Sequence, residues 1–212
     1  MGIVPLMGQK STVASSARKR TPGGKVKWMK NPFDHQVFIE NGGQFTGPPN
    51  SDKILYGAQL GDVYVYITTR GLIYKYTEYP VVEKPGGKEI DQDDIDLKKL
   101  KPTEHYLTAI WEGSTGAANV VAGEEQTNYY TYPGSDDKST IEVNIFKTIT
   151  CRNIYPGIDV KYSFIQGKEG FKYALIVHPG ADISQIKLKY SGTKKIFLDK
   201  DTKIKTSVPY IK

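Results

Sequence analysis

The chain has 212 residues, 38% hydrophobic and 25% charged, with 21 Gly, 12 Pro and 15 Tyr. That balance supports a packed core and excludes a wholly disordered chain, and no run approaches the ~18 consecutive apolar residues of a membrane-spanning helix. One cysteine, Cys151, excludes an internal disulfide and a Cys-cluster metal site.

The formal charge of +6 is not spread evenly. Lys10, Arg18, Lys19, Arg20, Lys25, Lys27 and Lys30 precede the first acid, Asp34, so the rest of the chain nets −1. Residues 1–32 read as a disordered basic leader, because Gln9–Gly24 is almost all Ser, Thr, Lys, Arg, Gly and Pro. Basic tails bind nucleic acid by counterion release, but a nearly neutral folded part argues against a nucleic-acid partner. Ile3-Val4-Pro5-Leu6-Met7-Gly8 is a short apolar patch without the basic n-region of a secretory signal. It reads as a signal-peptide remnant or an ordinary start.

From residue 33 onward the signals are those of a single domain. Val37-Phe38-Ile39 precedes Asn41-Gly42-Gly43-Gln44, strong turn chemistry because Asn and Gly tolerate positive φ. Val63 to Thr68 is β-branched and aromatic, and Leu72 to Tyr76 follows across Thr69-Arg70-Gly71, which predicts a hairpin. The first arm is apolar on both faces, as for a strand covered on each side. Residues 80–104 read as a charged insertion, with a short helix over Asp93–Leu100 whose acids come first and lysines last. His105 to Trp111 predicts a strand, Gly116 to Thr127 a long loop, and Thr127 to Gly134 a tyrosine-rich approach to a turn.

Period two is clearest late in the chain. Ile158, Val160, Tyr162 and Phe164 alternate with Asp159, Lys161 and Ser163, and Phe171, Tyr173, Leu175 and Val177 share one face of the next run. Ile186, Leu188 and Tyr190 alternate with lysines, and Ile196-Phe197-Leu198 with Lys203-Ile204-Lys205 forms one more hairpin. Strand signals about every 10–15 residues predict an all-β chain, an antiparallel β-sandwich with long loops.

The blocks Glu40-Asn41-Gly42-Gly43-Gln44, Gly61-Asp62-Val63-Tyr64, Gly71-Leu72-Ile73-Tyr74, Asn128-Tyr129-Tyr130, Arg152-Asn153-Ile154-Tyr155-Pro156-Gly157-Ile158-Asp159 and Pro179-Gly180-Ala181-Asp182 stand in a characteristic order. In this the chain resembles, from about Phe38 to Ile211, the N-terminal β-rich domain of large secreted or cell-surface proteins of Bacteroidetes. That domain precedes SBBP-type β-propeller repeats, PKD-like or gliding-motility-associated modules. The resemblance implies an extracellular or outer-membrane surface location and a non-catalytic module. Its partners would be other domains of a longer chain or cell-surface proteins. Asn41, Gly42, Gln44, Arg152, Tyr155, Pro156, Gly157, Asp159, Pro179 and Gly180 would be its framework residues.

Candidate chemistry is sparse. His35, His105 and His178 lie in no two-ligand spacing. Asp91, Asp93, Asp94 and Asp96 are the densest acidic cluster, but Ile95 and Asp96 occupy places where a calcium loop needs a ligand and a Gly. Asp159 and Asp182 are the carboxylates a glycosidase reading would inspect, although Asp159 beside a Pro-Gly turn suits capping of backbone amides or pairing with Arg152. Cys151 reads as a small buried hydrophobe. No catalytic residue, metal ligand or cofactor is assigned. The alternative to a structural module is a polysaccharide-binding face using Tyr64, Tyr66, Tyr129 and Tyr130, against the tendency of tyrosine to pack within antiparallel sheets.

Overall fold

The computed structural model describes residues 36–80, 101–117, 119–134, 139–165, 167, 170–198, 200 and 204–207. The expected leader, the helix over 93–100 within the insertion, and the turn residues Gln166, Lys168, Glu169, Asp199 and Asp201 lie outside them. The β-branched and aromatic runs form strands, as their side chains favour. The strands are β1 (Phe38–Glu40), β2 (Ile54–Leu60), β3 (Val63–Thr68), β4 (Gly71–Glu78), β5 (Thr103–Trp111), β6 (Asn119–Pro133), β7 (Thr140–Tyr155), β8 (Ile158–Phe164), β9 (Phe171–Val177), β10 (Leu188–Ser191), β11 (Lys195–Leu198) and β12 (Ile204–Ser207). Among the described residues the one helical element is a short 3-10 turn, Ile183–Gln185.

Ten strands form one antiparallel sheet in the order β10-β5-β4-β3-β2-β1-β7-β8-β9, with β6 also on β7; β11 and β12 pair only with each other. Strand β7 explains this connectivity. Along one edge it carries β6, from Thr140 to Arg152. Its other edge is shared end to end by β1, at Ile145 and Phe146, and by β8, from Thr148 to Tyr155. The β1–β5 meander and the β7–β9 meander are thereby fused into a continuous ladder.

The expected sandwich of two stacked sheets is corrected by this ladder: the fold is a single sheet curled into a half-barrel. Side chains close the curl. The Trp111 indole Nε1–H donates to the Tyr162 hydroxyl at 3.3 Å, although five strands separate β5 from β8 in the sheet. The Trp111 ring also meets Tyr173 of β9 edge-on, with centroids 5.5 Å apart. The enclosed core contains Phe38, Val65, Ile67, Ile149, Val160 and Tyr162. On the other face of the same strands, Tyr66, Ile73, Val143 and Ile145 pack beneath Phe45 as a second cluster. The apolar character of both faces of β3 follows from this double cover.

Residues 116–127 also differ from the sequence expectation of a loop. From Asn119 they belong to β6, because Val120, Val121 and Ala122 pair with Cys151, Thr150 and Ile149 of β7. A long partner strand overrides the poor β-propensity of Gly123-Glu124-Glu125, where Glu124 takes φ 57° and the register then shifts.

Candidate functional site

Three of the sheet's edges differ in how they meet solvent. The outer edge of β6 is interrupted by the Glu124 distortion and its neighbouring acids, and β10 is only four residues long and carries Lys189. Bulges, short length and charge are the devices that keep an edge from recruiting another strand. Strand β9 is the least protected of the three. It is seven residues long, contains no Pro, and carries a single charge, Lys172. Its inner edge pairs with β8 from Phe164↔Phe171 to Ile158↔Val177 without interruption, while no described strand lies on its outer edge.

The side chains of β9 divide by parity. Phe171 and Leu175 pack on the enclosed core, with Phe171 edge-on to Phe38 at 5.5 Å and to Tyr162 at 5.9 Å. Tyr173 is 45% exposed, Ile176 39% and Val177 45%, and Ile183 on the following turn is 65% exposed. The sequence pattern places Tyr173 and Val177 on a buried face; they share the inward parity, but the edge leaves them partly uncovered. This apolar, uncapped strand is the candidate interaction site.

At the end of β9 lies the Tyr155-Pro156-Gly157-Ile158 turn, in which Gly157 takes φ +70° and Tyr155 pairs with Ile158. Just before it, Asn153 takes φ 52° where the β7–β8 register shifts. Asp159, 8% exposed, holds this kink together. Its Oδ1 accepts the Asn153 backbone N–H at 2.8 Å, and its Oδ2 lies 3.0 Å from His178 Nε2. Burial pushes the carboxyl upward, but the Asn153 amide, the His178 ring and the neighbouring Arg152 charge outweigh it and hold the group below its ordinary value. The acid thus caps the backbone amide beside Arg152, and Arg152 contributes its charge. Tyr155 donates its hydroxyl to Glu112 O at 2.6 Å, with Lys187 O at 3.1 Å, and so fastens the end of β5 to the start of β10. Pro179 and Gly180 lie in the exposed turn after β9, with Gly180 at φ +83°. Asp182 caps the 3-10 turn by accepting Ser184 N–H at 2.9 Å.

The Asn41–Gln44 block forms a second fastening. Asn41 Oδ1 accepts the N–H groups of Gly43 and Phe45, and its Nδ2 donates to Phe45 O and Ile54 O. Gln44 accepts Gly42 N–H and donates to Glu40 O. The loop delivers Phe45 into the second cluster and borders an open cleft of about 540 Å³, whose Asp52 is engaged by Arg70.

The tyrosines proposed as a sugar platform are not brought together as a flat exposed face. Tyr66 is only 3% exposed, a correction to its reading as a ligand contact, and burial drives its hydroxyl far above the ordinary value. Tyr64 and Tyr130 are half-buried against the same cluster, with Tyr64 and Tyr66 inclined at 32°. Tyr129, at the neighbouring position of β6, has the opposite parity. Cys151 is buried, and desolvation pushes its thiol up to about 12. His105 Nε2 lies 2.8 Å from Glu78 Oε2, and His35 lies outside the described residues. Among the described residues, no three His, Cys, Asp or Glu side chains gather as a metal site, and no helix is long and apolar enough to cross a membrane.

Sequence reasoning found the strand β9 but not its position at the sheet's edge. Edge status depends on the strand order across β7, which local periodicity does not carry.

Residues 38–212 match a family described as a domain of unknown function, DUF7948, and the chain belongs to that family. The match begins at the first residue of β1. Comparison with curated proteins gives no match, and neither does comparison with solved structures.

Proposed function

We propose that this DUF7948 domain is a non-catalytic structural and interaction module of a larger secreted or cell-surface protein. In this reading it is the N-terminal module of an adhesin or a gliding-motility-associated protein of Bacteroidetes. The half-barrel is the rigid unit and the edge of β9 is what it offers to a partner. The observation that carries the reading is the contrast between a filled core and one long, uncapped, apolar edge. The sequence blocks that carry the resemblance also support it. Asn41, Gln44, Tyr155 and Asp159 spend their polar groups on backbone atoms and loop closure, as framework residues do.

The test is accessibility on intact cells that carry the protein in its natural length. Protease or a membrane-impermeant biotin reagent should reach this domain without lysis, and protection until lysis overturns the surface assignment. A polysaccharide-binding module is the second reading, and Tyr79, 41% exposed, is the aromatic that keeps it open near Tyr64. A glycan array showing binding that Tyr79→Ala and Tyr64→Ala abolish would replace the first reading with the second.

A further inference from the structure

We propose that β9 pairs antiparallel with β9 of a second copy of this chain, about a two-fold axis at Ala174. The inference rests on the interaction-module reading and names its partner. Ala174 is the middle residue of Phe171–Val177, so an axis there pairs all seven residues: Ala174 with Ala174 of the second copy, Tyr173 with Leu175, Lys172 with Ile176, and Phe171 with Val177. A two-fold perpendicular to the sheet keeps inward residues opposite inward ones, as the period of two requires.

The register within each copy extends the argument by one strand. Ile158 pairs with Val177, Val160 with Leu175, Tyr162 with Tyr173 and Phe164 with Phe171. Across the axis the inner face would therefore read Ile158, Val177, then Phe171 and Phe164 of the second copy. The next row reads Val160, Leu175, then Tyr173 and Tyr162 of the second copy. Both rows are apolar throughout. On the outer face the one charge of β9, Lys172, is placed opposite Ile176 of the second copy. Beyond that isoleucine stands an acid, Asp159, which pairs with Ile176 on β8. The row at the axis carries Lys161 on the far side of Ala174 in each copy, so no two like charges are directly opposed, the arrangement that destabilises a strand pair. The arrangement is self-complementary, as an isologous contact must be. A contact of one strand edge is small, so the dimer is weak, with a dissociation constant on the order of 10–100 µM.

Directly opposed residues of an antiparallel pair have Cα atoms about 4.5–5.5 Å apart, within disulfide reach. Residue 172 lies four positions from its own equivalent, roughly 14 Å away, and beyond that reach. In the full chain, sedimentation equilibrium over a concentration series should show a monomer–dimer equilibrium. Ala174→Cys should cross-link under mild oxidation and Lys172→Cys should not, while buried Cys151 takes no part. Ala174→Lys, at an exposed position, should abolish the dimer and leave the melting temperature of the dilute protein unchanged. A monomer at every concentration up to the hundred-micromolar range overturns the proposal. A dimer that Ala174→Lys leaves intact and Ala174→Cys fails to cross-link overturns it equally. Neither result bears on surface accessibility, which tests the module reading separately.

Discussion

Phe45 covers Gly57 so closely that a Cβ built on Gly57 would lie 2.6 Å from Cε2 of the ring. Gly57 belongs to β2, where an interior glycine ordinarily weakens a strand by roughly 0.5–1 kcal/mol relative to alanine. Here the missing side chain is what admits the ring, which Asn41 and Gln44 hold in place through their loop. Gly57→Ala should therefore destabilise the fold by about 1–3 kcal/mol, read from denaturant unfolding. The loss should shrink in a Phe45→Leu background, because the two positions share one contact. A Gly57→Ala protein as stable as the parent contradicts the seating of Phe45.

That contact also marks where sequence reading ends. The alternation over Ile158–Phe164 and the β3–β4 hairpin were legible because periodicity and turn residues are local, and the strands form there. The curl was not legible. It depends on Trp111 reaching Tyr162 across five intervening strands and on β7 carrying β1 and β8 along one edge. The first part of β6, through Thr127, reads as loop because its own residues are mostly small and polar; the ladder of β7 supplies what its propensity lacks. The Asp159 role was half legible. A Pro-Gly turn beside an acid suggests a backbone cap, but the His178 contact comes from the neighbouring strand's end and leaves no local trace.

The tyrosines separate by burial rather than by their shared sequence character. Tyr66, at 3% exposure, is core, and Tyr66→Ala should cost about 3–5 kcal/mol. Tyr129 is half-exposed, and Tyr129→Ala should cost under ~1 kcal/mol. Thermal or urea unfolding of the two variants gives the comparison. Equal losses would mean that the two side chains share one environment, against the burial seen here.

Asp159 gives the fold a specific acid sensitivity. Its folded-state carboxyl is held below its ordinary value, so its contribution is fully present above the unfolded value of about 3.9 and is lost as pH falls through the folded one. Asp159→Asn should be less stable than the parent at pH 6, and the gap should close progressively between pH 4 and the acid limit of the folded state. Urea midpoints measured at each pH supply the test. A gap that stays constant with pH would mean that the carboxylate charge has no part in holding Asn153 and His178.

Cys151 provides an internal reporter of opening. It sits on β7 between the β6 and β8 ladders, pairing with Val120 and Val160, and only 2% of its surface is exposed. Burial also pushes its thiol up to about 12, so the thiolate that reacts with disulfide reagents is scarce in the folded protein at pH 8. Labelling with a chromogenic disulfide reagent should be slow in native buffer and should reach one thiol per chain once urea unfolds the sheet. The native rate should rise in Gly57→Ala by about tenfold for each ~1.4 kcal/mol of lost stability if labelling requires global opening, since open-state populations depend exponentially on the unfolding free energy. Rapid labelling in native buffer would mean that β6 or β8 leaves β7 far more readily than a fused ladder allows.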